Sequence, residues 1–239
     1  RGVSSSFFVD RNMQAASGGN TASCQAMDTL SALFPEIGVM LSGADEPALS
    51  AQQASKFSSS EHHAAVSSIG ECGGKLRLPH TTLATAAVFL LRFFRRTSGE
   101  HDMHDIATTC LFLAAKSEES RHGSQLASVD GPRRIRDVIN IAHKVRNPKA
   151  KPLSLDEEYW STKDKLINNE QLVLRVLQFE VDIVHPYSFL LYYAQTLQLP
   201  PKLVQVAWSL VNDSFYCARC LTFKPHVIAV AAVYLSAQL

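Results

Sequence analysis

The stretch from His104 to Glu119, HDIATTCLFLAAKSEE, constrains this chain more than any other. Ile106, Ala107, Cys110, Leu111, Phe112, Leu113, Ala114 and Ala115 leave no continuous polar stripe along its opening turns. A helix that is apolar on most sides belongs inside a bundle, with other helices packed around it. Its last turn changes abruptly to Lys116, Ser117, Glu118 and Glu119, which is expected to bring a charged end to the surface. The pattern returns at His226 to Gln238, HVIAVAAVYLSAQ, with Gln238 where the first copy has Lys116. Leu78-Pro79 and Leu199-Pro200 open further apolar stretches, each just before its copy of the buried helix. Two helices repeated in order, at the spacing of a domain, point to a duplicated all-α domain.

In chain order, residues 1 to about 60 are rich in Ser, Ala, Gly and Gln and read as a poorly ordered arm, with at most a short helix over Ala26–Leu41. From Glu61 the pattern is helical. Glu61–Leu76 is a weak helix diluted by Gly70, Gly73 and Gly74. A second helix enters at Pro79, takes Thr81 or Thr82 as its cap and runs to about Arg96. The buried helix follows, then a polar loop over Ser120–Gly131. Pro132 opens a fourth helix with Ile135, Val138, Ile139 and Ala142 at helical spacing. Leu155–Gln178 is the fifth, with Ile167, Leu172, Leu174, Val176 and Leu177 along its apolar side. Phe179–His185 alternates like an extended linker, after which Tyr187–Leu197, Lys202–Phe215 and Pro225–Leu239 give three more helices. The expected division is a first unit over residues 61–184 and the start of a second over 185–239. The chain begins at Arg1 and is expected to be a fragment that stops within its second unit, so missing targeting signals carry no weight.

Composition narrows the function. Lys and Arg number 23 against 22 Asp and Glu, a balance that lacks the basic excess of a nucleic-acid binder. The 5 cysteines form no disulfide framework and fit a reducing compartment, cytosol or nucleus. No apolar run reaches the length of a membrane span.

Several motifs together resemble the cyclin family. Leu113-Ala114-Ala115-Lys116 followed by Glu118-Glu119 is similar to the cyclin signature at the end of the third helix, and EQLVLRVLQF at Glu170–Phe179 to the cyclin fifth helix. LPHTTLATAAVFLLRFF from Leu78 resembles the second helix of the transcriptional cyclins K, T and L, and PRRIRDVIN from Pro132 the L type. HPYSFLL from His185, LVQVAWSLVNDS from Leu203 and FKPHVIAVAAVYLSA from Phe223 are closer to the K and T types. The resemblance implies an all-α cyclin fold: one complete five-helix cyclin box, then a truncated second one. It implies a regulatory subunit that binds and activates a cyclin-dependent kinase of the transcriptional class as a heterodimer. Phosphorylation of the RNA polymerase II C-terminal domain, a nuclear location and, for the L type, a link to splicing follow from it.

By the same resemblance, Lys116 and Glu170 match the pair that holds the kinase's mobile regulatory helix, while Phe112, Leu113, Phe179 and Val181 match an apolar contact surface. Ser117 stands where relatives carry an apolar residue facing the kinase, and Ser120–Gly131 is an apparent insertion near the expected interface. Read without the family, Lys116 and Glu170 are an ordinary surface ion pair worth at most about 1 kcal/mol. Cys217-Ala218-Arg219-Cys220 is a C-x-x-C with no second pair, so zinc or redox chemistry is not expected there. His101, Asp102, His104 and Asp105 read as the cap of the buried helix rather than a metal site. Arg133, Arg134 and Arg136 read as a solvated helix face. No catalytic constellation, phosphate loop, metal site or cofactor is expected. The alternative is a cyclin-fold transcription factor or scaffold acting without a kinase, as in the general transcription factor B family, whose members tend to be basic.

Overall fold

The structure, a computed structural model, describes residues 60–97, 101–122, 135–149, 153 and 156–238. The expected arm, its helix over Ala26–Leu41, the loop from residue 123 onward, Pro132, Arg133 and Arg134 lie outside the described residues. Those residues form helices α1 (Ser60–Lys75), α2 (His80–Arg96), α3 (Met103–His122), α4 (Ile135–Arg146), α5 (Glu157–Val176), α6 (Pro186–Thr196), α7 (Pro201–Ser214) and α8 (Pro225–Ser236), with a 3-10 turn at Ala218–Leu221 between the last two. No strand occurs among the described residues. The described residues divide after Ile183 into two compact units.

In the first unit α3 is the centre, touching α1, α2, α4 and α5. Ile106, Ala107 and every residue from Thr109 to Ala115 are buried, as a helix without a polar stripe requires. Asp102 starts the helix by accepting hydrogen bonds at Oδ1 from the backbone N–H groups of His104 (2.9 Å) and Asp105 (3.1 Å), the capping expected of this acidic cluster. Arg146, in the last turn of α4, closes over the same acids: Nη2 lies 2.8 Å from Asp102 and Nη1 3.0 Å from Asp105.

α2 is almost entirely buried from Thr82 to Arg95. Its start differs from expectation. Pro79, in extended backbone, precedes the first helical residue without a side-chain cap, and Thr81 and Thr82 lie inside the helix. Proline's fixed φ gives the entry geometry, so no hydroxyl is needed to turn the chain. Gly73 is a packing device: a Cβ there would sit 1.9 Å from Leu83 Cδ2 on α2. The glycine expected only to weaken α1 lets two helices approach.

Two other expectations change. α3 continues to His122, so Ser120–His122 are helical rather than loop. The buried side of α5 is Tyr159, Leu166 and Val173, continued by Leu177 after the helix, whereas Ile167, Leu172, Leu174 and Val176 are only half-buried. The buried set repeats every seven residues before closing at four, the spacing of one helix face.

In the second unit α6, α7 and α8 pack on one another. Pro186, Pro201 and Pro225 each occupy the first helical turn, where the missing N–H is harmless. Ile228, Ala229, Ala231 and Ala232 of α8 are buried, at the places corresponding to Ile106, Ala107, Thr109 and Cys110 in α3. Its opposite side is open, with Val230 and Tyr234 exposed.

Candidate functional site

The sequence-derived residues lie where the last third of α3 meets the end of α5. These helices pack along their buried sides, which brings Lys116 and Glu170 together although 54 positions separate them. Lys116 Nζ donates to Glu170 Oε1 at 2.7 Å, and the same ammonium lies 4.3 Å from the centre of the Phe112 ring. The side chains differ in access: Lys116 is 51 % exposed and Glu170 14 %. A lysine resting on an aromatic face and a recessed carboxylate keeps its charge at the surface in one preferred direction.

Phe112 and Leu113 are 6 % and 5 % exposed. Phe112 lies under Lys116, and both offer little surface of their own. Phe179 is the opposite, with 68 % of its surface exposed. It follows the end of α5 in a left-handed backbone conformation, φ 62°, directly after Gln178 at φ 54°. Two bonds pin this corner. Phe179 N–H donates to Leu174 O (3.0 Å) and Gln178 N–H to Arg175 O (3.0 Å). Beyond it, Arg96 of α2 pairs with Glu180 (3.1 Å) and donates to Val176 O (3.4 Å). Ser117 Oγ donates to Val181 O at 3.4 Å, so this hydroxyl ties α3 to the segment after α5. Val181 is half-buried.

The charged end of α3 is only partly a surface feature. Glu118 is 5 % exposed and accepts a hydrogen bond from Thr85 Oγ1 of α2 at 2.9 Å. Its burial was not foreseen, because its partner lies 33 positions away. Sequence reasoning also missed the Arg96–Glu180 and Arg146–Asp102 clamps, whose partners lie 84 and 44 positions apart in the chain.

Chemically, the site presents ammonium donors, a recessed carboxylate and an exposed aromatic ring, a set suited to binding the polar end of a helix and an adjacent apolar side chain. Among the described residues no group of three or more His, Cys, Asp or Glu is placed to hold a metal ion. None of their helices is long and apolar enough to cross a membrane. Arg136 is exposed on α4.

The family profile of the cyclin N-terminal domain matches residues 44–182. The chain belongs to the cyclin family. It is 36 % identical over 174 residues to Cyclin-T1-5 of Arabidopsis thaliana, covering 70 % of this chain and 28 % of that protein. It is 38 % identical over 177 residues to Cyclin-L1 of Homo sapiens, covering 71 % and 32 %. The chain thus spans about a third of the length of the curated relatives it matches. Among solved structures, a chain of the yeast RNA Pol II CTD kinase CTDK-1 complex has a similar fold, with TM-score 0.64 and 20 % identity over 81 % of this chain and 62 % of that one. A chain of the CAK complex of Chaetomium thermophilum bound to ATP-gamma-S does so with TM-score 0.57 and 17 % identity, covering 92 % and 64 %.

Proposed function

We propose that this cyclin is the non-catalytic regulatory subunit of a transcriptional cyclin-dependent kinase, and that Lys116 and Glu170 grip the kinase's mobile regulatory helix. The observation carrying this reading is the half-exposed Lys116 held over Phe112 by the recessed Glu170, where α3 meets α5 in a cyclin fold. Lys116, Glu170 and Ser117 make the polar contacts, Phe179 and Val181 the apolar ones, and the buried Phe112 and Leu113 add little surface. Docking draws the regulatory helix inward, where it completes the kinase's own Lys–Glu ion pair and aligns the ATP phosphates. The cyclin supplies no reacting group. Its contribution is differential affinity for the active arrangement, and moving an equilibrium from 1:99 to 99:1 takes about 5.5 kcal/mol of it.

Kinship with cyclins named T and L, and the fold shared with a chain of an RNA Pol II CTD kinase complex, support the C-terminal domain of RNA polymerase II as the substrate of the assembled kinase. The nucleus is the compartment that this role requires. The first cyclin box, residues 61–184, is the kinase-binding one, and a compact unit that ends at Ile183 supports this reading.

The test is affinity capture of the complete protein from its native cells, with quantitative mass spectrometry of bound kinases and assay of captured activity on a polymerase-tail peptide. Recovery of one transcriptional kinase, sharply reduced for Lys116→Ala combined with Glu170→Ala, is the expected result. Equal recovery by both forms would make the pair ordinary surface, and recovery of no kinase would favour the scaffold.

A further inference from the structure

The four described cysteines fall into two kinds. Cys72 on α1 is 4 % exposed and Cys110 on α3 fully buried, each isolated from the other thiols along the chain. Burial pushes the Cys72 thiol up to about 12 and raises that of Cys110 further, so neither offers a thiolate near neutral pH.

Cys217 and Cys220 share the turn that joins α7 to α8. Cys217 N–H donates to Ser214 O at 3.0 Å and Cys220 N–H to Cys217 O at 3.1 Å, so the two cysteines are the first and last residues of one hydrogen-bonded turn. Such a turn keeps its end Cα atoms within about 7 Å, and a disulfide spans Cα atoms roughly 4.4–6.8 Å apart. Access differs in a useful way: Cys217 is half-buried and Cys220 only 9 % exposed. Phe215 and Ala218, both buried, anchor the turn on either side of Cys217. The lack of two further ligands weighs against zinc at this pair. Redox chemistry, not expected here from the sequence alone, needs only the pair itself, which the structure brings into one turn.

We propose that Cys217 and Cys220 form a thiol–disulfide exchange site that takes small-molecule disulfides of the glutathione type. Cys217, after losing its proton to solvent, attacks one sulfur of the incoming disulfide; the other sulfur leaves as a thiolate and takes up a proton. Cys220, deprotonated in turn, attacks the Cys217 sulfur and expels the second thiol. The dithiol loses two electrons and two protons, and one small disulfide becomes two thiols. The product bond closes the turn that leads into α8 and fixes the start of that helix. This site is independent of the kinase-binding residues, and its test does not depend on them.

The complete chain is incubated with oxidised glutathione, trapped with N-ethylmaleimide and digested with trypsin, which cuts after Arg219, between the two cysteines. The expected result is a disulfide joining the tryptic peptides on either side of that cut. Cys72 and Cys110 should be alkylated only after denaturation, which also certifies that the chain was folded. Cys220→Ser should stop at a glutathione adduct on Cys217, and Cys217→Ser should react more slowly by roughly tenfold or more. A lasting adduct on Cys217 of the unaltered chain without the joined peptides would overturn the proposal. So would oxidation spread evenly over all the cysteines, or no reaction at the pair.

Discussion

Lys116 Nζ stands 2.7 Å from Glu170 Oε1, and the two side chains are unequally exposed, 51 % against 14 %. A pair that is half in water contributes little to folding, about 1 kcal/mol or less. Lys116→Met and Glu170→Gln should therefore each lower stability only slightly in urea unfolding. The double-mutant cycle between them should give a coupling of about 1 kcal/mol or less. A coupling well above that would make the pair a structural clasp and weaken its assignment to a partner.

Gly73 makes the opposite case, a residue that looks weak and is structurally required. Alanine gains up to about 1 kcal/mol over glycine in a helix. At position 73, however, its Cβ would meet Leu83 Cδ2 at 1.9 Å and Cγ at 3.2 Å, and Leu83 is itself buried. Overpacking of this kind costs about 1–3 kcal/mol, so Gly73→Ala should be net destabilising. Gly74→Ala, at an exposed position, should be neutral or slightly stabilising. Thermal melts of the two variants read the difference, and equal melting temperatures would contradict the close approach of α1 and α2.

These residues mark what was legible beforehand. Periodicity located the helices because burial on one side leaves a local pattern, and it identified α3 because burial on every side removes that pattern. The Lys116–Glu170 pair was legible only through the family motifs that carry each residue. What stayed hidden depends on the far partner. Glu118 reads as a surface charge until Thr85 of α2 meets it. On α5, too many Leu, Ile and Val residues hid the inward side, although the spacing of Tyr159, Leu166 and Val173 contained it. Gly73 gave no local hint of Leu83.

Arg146 clamps the start of α3 through Asp102 and Asp105, with all three side chains nearly half exposed. Partial burial pulls the Asp102 carboxyl upward. Hydrogen bonds from Arg146 and from the backbone N–H groups of Asp105 and His104, with the charge of Arg146, outweigh this and leave it below the ordinary 3.8. A folded value below the unfolded one means stability that is present above about pH 4 and lost as the pH falls through the folded value. Arg146→Ala should cost about 1 kcal/mol or less at neutral pH, with a gap to the parent that closes in acid. Unfolding curves at neutral pH and well below the carboxylate range check both parts.

His62 acts over a different window. It is 1 % exposed, and burial first, then the neighbouring His63, lowers its value from 6.5 to about 4. The unfolded chain therefore binds the proton more readily between those values. Stability is full above pH 6.5 and falls as the pH drops toward 4, by up to about 1.4 kcal/mol per pH unit. His62→Leu removes the titrating group and should flatten that slope in urea titrations between neutral and mildly acidic pH. An unchanged slope would shift the effect to other groups, beginning with His80, which burial also lowers.

The corner after α5 separates stability from recognition within two adjacent residues. Gln178 is exposed and adopts φ 54°, a left-handed conformation that costs a side-chain-bearing residue about 1–2 kcal/mol and glycine little. Gln178→Gly should therefore stabilise the chain by about 1 kcal/mol, since glycine is the usual residue at such a helix end. Phe179 shares the conformation, φ 62°, but holds its ring 68 % exposed, so Phe179→Ala should leave folding nearly unchanged. If the ring is a contact of the kinase, only Phe179→Ala lowers the amount captured. Gln178→Gly raises the melting temperature and leaves capture intact. Loss of capture in both variants would mean that the corner acts through its backbone rather than through the aromatic side chain.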